Sequence, residues 1–178
     1  MNPTPAPSAL RGGRFDSLDG SYAYLYVGEG PDAAIAETLC RDLPFAGSAR
    51  IVPRRRIEGR MLTQLEVTRG LPVVSLHGPD LTQVGQDLWL TKSEPVDYDM
   101  TRAWAAAIRG WVPEAGGFVY RCRHDEDLQA WVLFTAPGVA VHPALAEVPE
   151  GSLPLDNGAG LVEVRRVLAR HHATLARG

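Results

Sequence analysis

Residues 12–39 read "GGRFDSLDGSYAYLYVGEGPDAAIAETL", and the fold turns on how this stretch divides. From Ser21 to Val27 the side chains alternate, which predicts a strand with Tyr22, Tyr24 and Tyr26 on one face and Ala23, Leu25 and Val27 on the other. Gly28 and Gly30 close it. Pro31 suits the first position of a helix, and "PDAAIAETLCRDL" is an alanine-rich helical segment with Ile35 and Leu39 four residues apart, ended by Pro44. Arg14, the three tyrosines and Glu37 admit two readings. Taken singly they are a surface arginine, half-buried core tyrosines and a solvated helix carboxylate. Taken together they line a wedge for a charged, ribosylated aromatic ring. Tyrosine would stack on the ring, arginine would pair with phosphate, and the carboxylate would accept hydrogen bonds from ribose hydroxyls.

Outward from this unit, Ile51–Val52, Met61–Val67 and Leu71–Ser75 read as short strands, with the arginine run at 54–56 a solvated turn between them. A short helix is expected near 79–84 and a stronger one from about Asp99 to Trp111, with Asp97 and Asp99 as candidate caps and Trp104 and Ile108 on its core face. Arg102 on that helix reads either as a phosphate ligand or as an exposed side chain. "GFVYRCR" and "LQAWVLF" are strands joined by the charged turn "HDED", a hairpin. Residues 151–160 read as a loop, and the chain finishes on an amphipathic helix with a basic last turn. Strands and helices mix without a regular strand–helix–strand rhythm. This predicts a single α+β domain over residues 1–178, with a mainly antiparallel central sheet flanked by helices and residues 1–11 as a flexible lead-in.

Composition excludes several function classes. The chain has 178 residues, 45% of them hydrophobic, enough for one sizeable core. A net charge of -3 gives no bulk attraction to nucleic acid or to an anionic membrane, so no direct nucleic-acid or membrane binding is expected. The opening "MNPTPAPSAL" lacks the basic and apolar regions of a signal peptide, and a cytoplasmic protein is expected. Cys40 and Cys122 make neither a disulfide framework nor a zinc site, and no structural metal is expected; Cys40 reads as buried packing. Neither GxGxxG nor GxxxxGK[ST] occurs, so a nucleotide would have to be held another way.

The blocks "GGRFD", "YLYVGEGPDAAIAETL", "LTKSEPVDYDMTRAWAAAI" and "GGFVYRCRHDEDLQAWVLF", in this order from Gly12 to Phe134, resemble the RES domain, named for its Arg, Glu and Ser. The resemblance implies a fold similar to ADP-ribosyltransferase toxins and an enzyme that destroys NAD+ as the toxin of a toxin–antitoxin pair, a NAD+ phosphorylase or NAD+ glycohydrolase. NAD+ would be substrate rather than cofactor, with inorganic phosphate as a co-substrate of the phosphorylase. A helix-turn-helix antitoxin of the Xre type would be the partner, with a homodimer within the complex. The family arginine falls on Arg14, its tyrosine on Tyr26, with Tyr24 the competing choice, and its glutamate on Glu37. The serine falls on Cys122. Arg123 and Tyr24 join Arg14 and Tyr26 as candidate substrate-binding residues. Cys122 would hydrogen-bond the substrate in the serine's place, or act as a thiolate nucleophile with His124 as its base. Little chain precedes the arginine block, so the sheet is expected to lack a family edge strand there. Other classes consistent with these residues are an ADP-ribosyltransferase acting on a protein and a non-catalytic RES-like interaction module.

Overall fold

The tyrosine strand and the helix after it form as the alternation requires: β1 (Ala23–Gly28) and α1 (Pro31–Ile35) open the computed structural model, which describes residues 12–44 and 49–177. The lead-in at 1–11 and the edge strand lacking ahead of Arg14 concern residues outside those described. α1 carries no side-chain cap, yet Pro31 supplies its pre-set first φ angle. It runs on without a break into a π-helical turn, Ala36–Cys40, which holds Glu37. Widened turns of this kind recur at functional sites because they re-aim one side chain without ending the helix. At the joint the backbones come so close that a Cβ on Gly28 would collide with the main chain of Ala33 and Ala34.

After β2 (Ile51–Val52) come β3 (Met61–Val67), β4 (Val74–Ser75), α2 (Gly78–Gln83), α3 (Trp89–Lys92) and α4 (Tyr98–Trp111). Then follow β5 (Gly117–Cys122), β6 (Asp125–Thr135), β7 (Leu145–Pro154), α5 (Gly158–Arg170) and β8 (Thr174–Leu175). Among the described residues the architecture is mixed α/β with three separate sheets. The largest has the order β1-β6-β5-β4. Its first three strands are antiparallel, as expected, but β4 runs parallel to β5, so the sheet is mixed. A parallel neighbour needs a crossover, and the segment 76–116 with its three helices provides it.

Two further readings need correction. The hairpin turn is only Arg123–His124, because the charged "DED" of the expected turn is already the start of β6. Residues 151–154, the start of the expected loop at 151–160, are instead the end of β7 (Leu145–Pro154), which pairs antiparallel with β3 through a register shift between Thr63 and Leu65. Pro149, Gly151 and Pro154 hide this strand from local reading. Proline is tolerated on a two-stranded ribbon with open edges, and the bulge absorbs the irregular step.

One face of the main sheet carries Tyr24, Phe118, Tyr120, Val132 and Phe134 against α4. Phe118 and Phe134 meet edge to face with centroids 4.8 Å apart, and Phe15 meets Tyr120 at 5.4 Å. α4 buries Tyr98, Thr101, Arg102, Ala105 and Ile108, one stripe at helical spacing. Asp97 stands at its N-cap without a capping bond, and Asp99 lies inside the first turn. A second core gathers Ile35, Leu39 and Cys40 with Val164, Val167 and Leu168 of α5. The helix carrying Glu37 therefore sits between two cores, with Ala33 in the first and Ile35, Leu39 and Cys40 in the second. Among the described residues no helix is long and apolar enough to cross a membrane, and no group of three or more His, Cys, Asp or Glu could hold a metal ion.

Burial pushes His124 down to about 4 and lowers His142 and His171 as well. The folded state therefore resists protonation that the unfolded chain accepts from about pH 6.5 downward. The stability these groups contribute is complete above that pH and is lost as pH falls toward 4. The urea midpoint is expected to drop across this window, and His124→Gln to flatten the slope. An equal slope in both proteins would remove His124 from the account.

Candidate active site

Arg14 is 2% exposed, and a charge so deeply buried has to be held by its surroundings. Its loop, residues 13–16, is clamped by side chains from three directions. The Tyr26 hydroxyl accepts from the Phe15 amide at 2.8 Å and donates to Asp16 Oδ1 at 2.8 Å. Asp16 Oδ2 accepts from the Gly13 amide at 2.8 Å. From α4, Thr101 Oγ1 donates to the Arg14 carbonyl at 2.8 Å and Arg102 Nε to the Gly13 carbonyl at 3.1 Å. Glycine is needed at 13, since a Cβ there would strike the Tyr26 hydroxyl, and at 12, where φ is +91°.

The guanidinium so aimed donates from Nε to the Ser93 carbonyl at 3.5 Å and lies 3.7 Å from Glu37 Oε2 through Nη1. Burial alone would lower the Arg14 pKa, but Glu37 and the phenols of Tyr98, Tyr120 and Tyr26 outweigh it and raise it. The charge is permanent. Its Nη2 is buried and has no protein partner.

Glu37 is fixed from the other side. The Arg123 amide donates to Oε1 at 2.7 Å and the Tyr120 hydroxyl to Oε2 at 3.4 Å, leaving the carboxylate 13% exposed. Gly13, Arg14, Tyr26, Glu37 and Tyr120 line a cavity of about 390 Å³, together with Thr38, Arg41, Arg56 and Arg60. A second, larger hollow of about 1170 Å³ lies between the opposite face of the sheet, at Leu25, Val27, Trp131 and Leu133, and the β3–β7 ribbon.

Arg14, Tyr26 and Glu37 thus meet at one cavity. Tyr24, Cys122 and Arg123 do not line it. Tyr24 is buried in the aromatic core, edge-on to Tyr22 and Tyr26. Cys122 is wholly buried on the core side of β5, behind Tyr120. The Arg123 side chain is engaged with the Arg41 carbonyl at 2.9 Å and with Glu94 at 3.0 Å; its contribution here is its main-chain amide. Arg102, likewise buried, faces Gly13 and Asp99 rather than the cavity. The turn at 54–56 is not simply solvated, because Arg56 reaches Thr38 O at 2.7 Å and Asp42 at 3.5 Å. Tyr120 was overlooked, although strand alternation places it on the face of Cys122. Asp16 lies in the "GGRFD" block, but nothing local in the sequence marks it as the residue that bonds Tyr26 and the Gly13 amide. Arg41 and Arg60 carry no local signal, since only the tertiary fold brings them to the cavity.

A thiolate mechanism does not fit this placement. Burial, with the nearby Glu37 carboxylate, pushes the Cys122 thiol far up. His124 instead lies in the turn, 3.2 Å from Arg50 and 3.4 Å from the Arg41 carbonyl. A thiol-directed alkylating agent is expected to leave folded wild type unlabelled at both buried cysteines. Cys122→Ser is expected to stay active, at a cost of about 1 kcal/mol for a hydroxyl placed in an apolar cluster. Rapid labelling of Cys122 in the folded protein, read by mass spectrometry, would restore the nucleophile.

The four sequence blocks are therefore one physical unit. The loop with Arg14 is bonded to β1 and α4, Ser93 precedes α4, and the end of β5 holds Glu37. No curated protein and no solved structure matches the chain. Its sequence does match the family model described as the RES domain, over residues 1–156. That match spans every residue of the clamp just described, and by it the chain belongs to the RES domain family.

Proposed function

We propose that the protein cleaves the bond between nicotinamide and ribose in NAD+, as the toxin of a toxin–antitoxin pair acting in the cytoplasm. The observation that carries this reading is the pairing of Arg14 with Glu37 at 3.7 Å inside a cavity walled by Tyr26 and Tyr120. Cleavage passes through an oxocarbenium-like sugar, so the site has to stabilise positive charge growing at C1''. A carboxylate held by the Arg123 amide and the Tyr120 hydroxyl is preorganised to do so. Tyr120 and Tyr26 flank the place of the nicotinamide ribose. Arg14 meets the phosphates through its open Nη2.

In this scheme the C1''–N1 electron pair leaves with nicotinamide, which departs neutral and needs no acid. A phosphate oxygen attacking C1'' forms ADP-ribose 1''-phosphate; water forms ADP-ribose and releases a proton. The partner implied is an Xre-type helix-turn-helix antitoxin, with a homodimer in the complex. Purified protein incubated with NAD+, with and without phosphate, is expected to release nicotinamide, and the phosphorylated product identifies the acceptor. No nicotinamide under either condition would refute the reading.

A further inference from the structure

Four guanidinium groups, from Arg14, Arg41, Arg56 and Arg60, line the smaller cavity, and they are not equivalent. Arg14 has Glu37 as counter-ion. Arg41 and Arg56 share the carboxylate of Asp42, at 3.0 and 3.5 Å. Arg60 is exposed, and among the described residues its side chain has no hydrogen bond and no ion pair. Its backbone is nevertheless fixed: the Arg60 amide donates to Ile57 O at 3.1 Å, and the Arg60 carbonyl accepts from the Leu155 amide at 2.9 Å. Among the described residues these four cations meet two carboxylates, Glu37 and Asp42, which leaves an excess of two positive charges, equal and opposite to the charge of a dinucleotide's pyrophosphate.

Arg60 is also shared. With Tyr26 and Thr38 it belongs to the walls of both the smaller cavity and the larger apolar hollow, so it stands at the neck between them. On the catalytic side the buried Nη2 of Arg14 lies without a partner. On the hollow's side, the half-buried indole of Trp131 has no ring or hydrogen-bond partner among the described residues. The sequence is anionic-ligand donor, neck cation, apolar chamber with an open aromatic face.

Resting on the NAD+ reading, we propose that Arg60 is the specificity-determining residue that reads the pyrophosphate of a dinucleotide, with the adenosine half passing it into the hollow against Trp131. The pyrophosphate lies between Arg14 Nη2 and Arg60, and the nicotinamide ribose lies at Glu37. A mononucleotide or nucleoside reaches Glu37 without Arg60 and is a poor substrate for that reason.

The test compares wild type with Arg60→Gln, which leaves an exposed, unpaired position and is expected to melt like wild type. Binding of ADP-ribose, which lacks nicotinamide, is measured by calorimetry, and kcat/KM is measured for NAD+ and for nicotinamide riboside. Loss of one charge-assisted contact is expected to weaken ADP-ribose binding and lower kcat/KM for NAD+ by about tenfold or more. Turnover of the riboside, which has no phosphate, is expected to stay the same. Equal ADP-ribose affinity in both proteins would overturn the assignment even if NAD+ is cleaved. Arg60-dependent ADP-ribose binding by a wild type that releases no nicotinamide would support the neck and sink the proposed reaction.

Discussion

Glu37→Gln is expected to lower nicotinamide release by about 10³-fold while the protein remains folded. The amide keeps an acceptor for the Arg123 main-chain N–H and nearly the same volume, but carries no charge to set against the cation growing on the sugar. The substitution also takes the counter-ion from the buried Arg14, which is expected to cost up to about 3 kcal/mol. Glu37→Ala is the poorer experiment, because it would leave the Arg123 amide unsatisfied as well. Circular dichroism and thermal melting establish the fold, and single-turnover assays with saturating NAD+ read the chemistry. A folded Glu37→Gln protein that turns over like wild type would remove Glu37 from catalysis.

Arg102→Met is expected to have its largest effect on stability. The side chain is 1% exposed and holds the Gly13 carbonyl, lies 3.8 Å from Asp99 and stands over the Tyr98 ring at 5.6 Å. Methionine fills the volume and leaves the Gly13 carbonyl without that donor, for an expected loss of about 3 kcal/mol in denaturant titrations. Asp99 is exposed and rehydrates, so it adds little. With the clamp loosened, KM for NAD+ is expected to rise because Arg14 is no longer aimed. Undiminished stability together with lost NAD+ affinity would instead make Arg102 a ligand for phosphate.

What the sequence determined by itself is the local frame: the alternation of β1, the proline-led helix after it, the helix α4 with Ile108 on its core face, and the β5–β6 hairpin. Each is written in residues a few positions apart, where side-chain period and turn chemistry act within one element. Arg14, Tyr26 and Glu37 were legible because the resemblance to the RES domain picks them out of one short stretch, residues 12–39, and the fold brings these three to one cavity. Only the tertiary structure decided that Cys122 and Tyr24 are core, that Arg123 acts through its amide, and that Tyr120, Arg41 and Arg60 face the cavity. It also decided that β4 is parallel and that residues 151–154 end a strand rather than begin a loop. Those outcomes depend on partners dozens of residues away: Arg123 and Glu37 are 86 residues apart, and Thr63 meets Ser152 across the ribbon. A residue's own neighbours in the chain do not say which distant group will desolvate it, pair with it or leave it open, and it is that pairing which separates a ligand-facing arginine from a structural one.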